Sequence, residues 1–86
     1  MNEEVFMGVA AYLLINTATG KEGDVVSALK KIGGVKHAHI VTGLHDVICY
    51  VAGKDLAEIK SIIINDIRDV KGIQRTVTCF ALDVSE

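Results

Sequence analysis

The side chains of this chain best suited to bind a small molecule are gathered in one turn, Thr42-Gly43-Leu44-His45-Asp46. The turn offers a glycine with open backbone N–H groups, an imidazole and a carboxylate, a combination that can hold a small zwitterion. Backbone donors suit a ligand carboxylate, and Asp46 suits an ammonium. Taken alone, the same five residues also describe an ordinary hairpin loop in which Asp46 hydrogen-bonds its own backbone. His37 and His39 stand two apart in a β-like run and so share a face, acceptable geometry for two metal ligands, with His45 and Asp46 as possible additions. That run falls on an edge strand, where polar side chains need no ligand to justify them, so neither a metal nor a cofactor is expected.

The remaining reactive side chains point away from catalysis. Cys49 and Cys79 form no CxxC pair; both are expected as reduced thiols in the interior. With a strand inserted between theirs they stand about two strand spacings apart, roughly 9.5 Å, too far to bond within one subunit. The sequence holds no Ser-His-Asp or Cys-His order, no phosphate-binding glycine loop and no HExxH run, and Gly20-Lys21-Glu22-Gly23 lacks the Walker pattern. The charged residues Lys54, Lys60, Asp66, Arg68 and Asp69 flank an apolar helical stripe and read as a solvated surface.

Six elements must position the turn. Gly8 to Thr17, GVAAYLLINT, reads as a first strand. Val25, Leu29 and Ile32 recur at helical spacing between Glu22 and Ile32, with Glu22 and Asp24 in the first turn and Lys30 and Lys31 in the last, which predicts a helix ended by Gly33-Gly34. Val35–Thr42 and Asp46–Ala52 read as two strands joined by a short Gly43-Leu44-His45 hairpin loop. Asp55 as N-cap with Glu58 three residues on opens a second helix whose Leu56, Ile59, Ile63, Ile67 and Val70 keep to one face. Gly72 breaks it, and Ile73 to Leu82 closes the domain as a fourth strand.

The order βαββαβ with right-handed crossovers predicts an α+β, ferredoxin-like split-βαβ sandwich whose antiparallel sheet runs 4-1-3-2. Val47, Cys49 and Val51 face away from Ile48, Tyr50 and Ala52, and Tyr12 and Leu14 face away from Ala11, Leu13 and Ile15. Both sheet faces are therefore apolar while helices cover only one, so a homodimer packed sheet to sheet is expected. Length and composition agree. Eighty-six residues hold one domain, expected over residues 8–86 after an acidic leader over residues 1–7, and a mean hydropathy of +0.38 is high for so small a fold. A formal charge of −2 with scattered Lys and Arg offers no basic stripe for nucleic acid. No apolar run reaches the roughly 18 to 20 residues needed to span a bilayer, and Glu3 and Glu4 sit where a signal peptide would be basic, so a cytoplasmic location is expected.

Four segments, AYLLINTATGKEGDVVSALKKIGGV, VTGLHDV, DLAEIKSIIINDIRDVKGI and RTVTCFAL, give the chain over nearly its whole length a pattern that resembles the effector-binding domain of the leucine-responsive regulator and AsnC transcription factors, also called the RAM domain. The resemblance implies sheet-paired dimers that assemble into rings of four dimers, with a free amino acid bound between dimers. It implies a site at the turn, which in that family commonly reads Thr-Gly-Asp-Tyr-Asp; Thr42, Gly43 and Asp46 match, and Leu44 and His45 stand where Asp and Tyr are usual. It also implies that Thr76 and Thr78 of the Thr-x-Thr in the last strand reach the effector across an interface. Full-length members carry an N-terminal helix-turn-helix domain with no counterpart here, so a stand-alone sensor is expected, acting by itself or co-assembled with full-length regulators. An alternative of a different class is a small cofactor-independent enzyme on a dimeric α/β barrel, where the two sheets enclose a substrate cavity and His37 or His39 serves as base; an enzyme of that type needs a cavity between sheet and helices, whereas an effector site lies at a subunit boundary beside Gly43.

Overall fold

In a computed structural model the structure describes residues 8–81. Strand β1 (Val9–Thr17) is followed by helix α1 (Glu22–Leu29), strands β2 (Val35–Ile40) and β3 (Val47–Gly53), helix α2 (Leu56–Ser61) running on into a π-helical turn (Ile62–Ile67), and strand β4 (Ile73–Ala81). The sheet order is β2-β3-β1-β4 with every neighbour antiparallel, which read from its other edge is the expected 4-1-3-2 of a ferredoxin-like βαββαβ sandwich. The expected leader over residues 1–7 and the last position of the fourth strand, Leu82, lie outside the described residues.

Strand alternation sorts β1 and β3 into two faces. On one, Leu13 lies opposite Cys49 and Ile15 opposite Val47, and these pack against Val25 and Leu29 of α1 and Ile59 and Ile67 of the second helical segment, all buried. Each Leu or Ile enclosed there contributes roughly 1.5–3 kcal/mol. On the other face Tyr12 lies opposite Tyr50 and Leu14 opposite Ile48, and no helix covers them; Tyr12 is 44% exposed. Both faces are apolar, as the alternation predicts.

The second helix begins as expected. Asp55 Oδ1 accepts the Glu58 N–H at 2.9 Å, while Glu58 Oε1 accepts the Lys54 N–H at 2.6 Å, one position before the cap. Its apolar stripe differs from the expected one. Isoleucines at positions 59, 63 and 67 recur every four residues, more than the 3.6 of an α-helix, and would drift around the axis. The π turn absorbs the drift, with the Arg68 N–H donating to the Ile63 carbonyl at 3.0 Å. Ile59, Ile62 and Ile67 are consequently the buried residues, Ile63 is half-buried, and Leu56 is left exposed.

The first helix is shorter than its periodicity predicts: α1 ends at Leu29, so Lys30 and Lys31 lie beyond its last turn. The chain reverses at Gly34, whose φ of +97° is a left-handed conformation; Gly33 carries no such demand. A Cβ at Gly34 would also sit 2.5 Å from Ile62 Cδ1, whereas one at Gly33 meets nothing within 4 Å. Gly34→Ala is expected to lower unfolding free energy by about 2 kcal/mol and Gly33→Ala to leave it nearly unchanged, which urea titration of the two variants measures.

Candidate functional site

The loop that carries the candidate turn runs from Val41 to Asp46, because β2 stops at Ile40 and β3 starts at Val47, one residue inside the expected strand on one side and two on the other. The Val41 N–H donates to the Asp46 carbonyl at 2.9 Å and closes the loop. The loop is then pinned to the end of β1. The Asp46 N–H donates to the Ile15 carbonyl at 2.9 Å, and Asp46 Oδ2 accepts the Thr17 N–H at 2.8 Å. Asn16 Nδ2 donates to the Leu44 carbonyl at 2.9 Å, which turns Oδ1 toward His45 Nδ1 at 3.2 Å. Since Oδ1 can only accept, Nδ1 is the donor of that pair, and a neutral ring then presents Nε2 as an acceptor.

This arrangement answers one question the residues alone left open. Asp46 does not serve its own backbone; it anchors the loop to a neighbouring strand through a charge-assisted bond. Asn16 is the residue sequence reasoning missed. Its signal was present, a lone amide ending an otherwise aliphatic strand. With Asn16 and Asp46 holding both ends, Gly43 takes φ +111°, and a Cβ there would have nothing within 4 Å, so its backbone stands open to approach. Thr42 is exposed, Leu44 is 90% exposed, and His45 and Asp46 are half-buried.

Thr76 and Thr78 do not join the turn within one chain. They pair with Ile15 and Leu13, so their side chains belong to the helix side of the sheet, where both are exposed. Asn16 and the His45 it holds belong to the opposite face, and β1 stands between β4 and the loop. Two groups so divided can meet one small ligand only if they come from different copies. Thr17 Oγ1, at the hinge between them, is buried without a hydrogen-bond partner among the described residues.

The helix-free face carries a hollow of about 430 Å³ lined by Tyr12, His37, His39, Ile48 and Tyr50. The Tyr12 and Tyr50 rings lie 4.9 Å apart, tilted by 55°, and His37 stands 6.0 Å from Tyr50. No residue of the Thr42–Asp46 turn lines it. The space between sheet and helices, where the enzyme alternative places a cavity, is filled at its centre by Leu13, Ile15, Val25, Leu29, Ile59 and Ile67, and at the β4 edge a hollow of about 200 Å³ remains, lined by Ile67, Arg68, Gln74 and Thr76 among others and holding neither His37 nor His39.

The two cysteines part company. Cys49 is buried as expected, and burial pushes its thiol up from 9.0 to about 11. Cys79, expected in the interior, is exposed, because it lies opposite Tyr12 on the face no helix covers. Thiol titration of the native protein is expected to modify Cys79 first and Cys49 only on unfolding. The raised Cys49 value favours the neutral thiol in the folded state, so its contribution to stability is whole below pH 9 and is lost as pH climbs toward about 11, which denaturation at pH 8 and pH 11 compares.

The family model described as the Lrp/AsnC ligand binding domain matches residues 10–85. The chain belongs to this family. The Lrp/AsnC family is regulatory, and the part of it matched is its ligand-binding module, as the resemblance implied. An uncharacterised HTH-type transcriptional regulator of Pyrococcus furiosus is 35% identical over 75 residues, covering 84% of this chain and 50% of that protein. The chain spans about half the length of the curated relatives it matches. Among solved structures, FFRP-DM1 superposes with a TM-score of 0.81 at 36% identity, covering 86% of this chain and 99% of its own. A transcriptional regulator of Neisseria meningitidis, solved as a complex with L-Met, shares the fold at 17% identity with a TM-score of 0.79, covering 93% of this chain and 54% of its own. Among the described residues of this Lrp/AsnC domain, no helix is long and apolar enough to cross a membrane.

Proposed function

We propose that the chain is a non-catalytic sensor of a free amino acid that acts through its own assembly. Gly43, His45 and Asp46 of one copy, flanked by Thr42 and Leu44, receive the ammonium and carboxylate, and Thr76 and Thr78 are supplied by another copy. The observation that carries this reading is the division of the candidate residues by β1 onto opposite faces, with an anchored, open turn on one side and two exposed threonine hydroxyls on the other. The family's ligand-binding module and the L-Met complex of the Neisseria regulator support the choice of ligand class.

Assembly begins on the helix-free face. Tyr12, Leu14, Ile48 and Tyr50 offer apolar area that a second sheet covers, giving a dimer, and rings of four dimers bring the turn of one dimer to the threonines of the next. The module works in the cytoplasm, alone or by entering assemblies of full-length Lrp/AsnC regulators. It has no need of nucleic acid or membrane contacts of its own. A ligand that bridges copies binds the assembled form only, so it shifts association by mass action. Light scattering with and without each of the twenty amino acids, together with calorimetry, tests both halves of the proposal. A multiple of the 9.2 kDa chain mass that changes with one ligand is the expected result. A monomer that gives no heat with any of them overturns it.

A further inference from the structure

The turn presents one apolar side chain that neither charge of an amino acid would use. Leu44 is 90% exposed. A single exposed leucine is ordinary on a protein surface, but the backbone that carries this one is held in place. The Leu44 carbonyl accepts the Asn16 amide at 2.9 Å, and two residues on Asp46 ties the loop to the Thr17 N–H at 2.8 Å. Across β1 from the turn, at the β4 edge, the hollow of about 200 Å³ opens between the π turn and β4. Ile63 and Ile67 of the π turn and Ile73 of β4 give it apolar walls, and Arg68, Gln74 and Thr76 stand exposed around it. That volume is below the roughly 300–1,000 Å³ of clefts that enclose drug-sized molecules, so its scale is that of one side chain.

We infer that Leu44 of one dimer seats in this hollow on a copy in the next dimer, and that the contact closes the ring. In the proposed sensor arrangement, on which this contact rests, the turn of one dimer faces Thr76 of the next. Thr76 is itself a wall of the hollow, so the leucine beside Gly43 is carried to its mouth. Moving an isobutyl group out of water against three isoleucines is favourable in proportion to the apolar area covered. Charge favours the same partner. The turn carries Asp46 and neither Lys nor Arg, whereas the hollow has Arg68 and no carboxylate among its lining residues. The Asn16 and Asp46 anchors already fix the loop, so seating Leu44 orders little more than one side chain. Leucine and hollow occupy different parts of one surface, so each copy gives one and receives one, a heterologous contact of the kind that generates rings when its rotation closes. Neither Leu44 nor the residues around this hollow line the one on the helix-free face, so sheet pairing and ring closure can form together.

The test is light scattering of the full chain and its variants with no amino acid present, so that mass reads the contact alone. The parent is expected at the mass of four dimers. Leu44→Asp should fall to the mass of one dimer with native circular dichroism, because the side chain is exposed within its own chain, and Leu44→Met should keep the ring. Gln74→Trp, which fills the mouth of the hollow from an exposed position on the edge strand, should also stop at the dimer. Leu56→Asp, at another exposed leucine on α2, should keep the mass of the parent. A ring that survives Leu44→Asp or Gln74→Trp overturns the seat of Leu44 and leaves the amino-acid site standing. A parent no larger than a dimer overturns the contact as well, and calorimetry of that parent with the twenty amino acids then reads the sensor site separately.

Discussion

Asp46→Asn will weaken amino-acid binding by about 2 kcal/mol, roughly thirtyfold in Kd, while leaving the loop in place. The anchoring bond of this carboxylate and the ammonium pairing proposed for it separate because they use different properties of it. Anchoring requires an acceptor for the Thr17 N–H, now at 2.8 Å, and an asparagine oxygen supplies one. Pairing with a ligand ammonium requires the negative charge, which asparagine lacks. Asp46→Ala removes both. It leaves the Thr17 N–H unpaired where it is shielded by the loop, so the fold should lose about 2 kcal/mol as well, and the ligand should lose at least as much affinity as in Asp46→Asn. Calorimetry on the two variants beside urea unfolding reads the four quantities. If Asp46→Asn binds as tightly as the parent, the carboxylate only holds the loop, and the ammonium must be taken by the backbone carbonyls around Gly43.

Much of this architecture was legible in the residues, for a physical reason. The alternation in β1 and β3 and the Asp55–Glu58 cap are local patterns, and local patterns survive into the tertiary structure when each agrees with the whole. What the sequence concealed depends on contacts across long separations. The Asn16 amide reaches a carbonyl twenty-eight positions away, and no periodicity foretells it. The π turn arises from a conflict, four-residue isoleucine spacing against a 3.6-residue helix, that is visible in the sequence but whose resolution is set by packing on the sheet and on Gly34. Cys79 went astray because a strand flanked by apolar residues reads as interior whichever face it turns, and one chain has helices for only one of them.

The candidate site was legible in kind and incomplete in construction. Thr42, Gly43 and Asp46 stand out by type, a glycine with open N–H groups beside a carboxylate at a sheet end, which describes a hairpin loop as well as a binding turn. Which neighbour steadies them is decided by register, and the bulge between Asn16 and Thr17 presents the side chain of one and the backbone N–H of the other to the same loop. Thr76 and Thr78 share a face, as alternation dictates; that this face is opposite the one facing His45 follows only once both strands are paired with β1.

A charge placed on the helix-free face should have the largest effect on the assembled protein. Tyr12 sits at the middle of that face with Tyr50 on one side and Cys79 on the other, and its ring packs 4.9 Å from that of Tyr50. In a sheet-to-sheet dimer Tyr12→Glu buries a carboxylate against the aromatic and aliphatic carbon of Leu14, Ile48 and Tyr50, with no Lys or Arg lining the same hollow and only the imidazoles of His37 and His39 at its rim. Desolvating such a group costs several kcal/mol, so dissociation should strengthen by about 3 kcal/mol or more per dimer, a hundredfold or more in Kd. The chain itself should still fold, because Tyr12 is 44% exposed in the single subunit and the core on the other face is untouched. Light scattering should therefore give 9.2 kDa for Tyr12→Glu with native circular dichroism, whereas Lys60→Glu, on the exposed side of α2, should leave the mass of the parent unchanged. Cys79 supplies a second readout, because its thiol lies opposite Tyr12: slow modification in the parent and fast modification in Tyr12→Glu place the contact on this face. Equal rates with an unchanged mass would move the assembly surface elsewhere and leave the two tyrosines and two histidines of the hollow facing solvent.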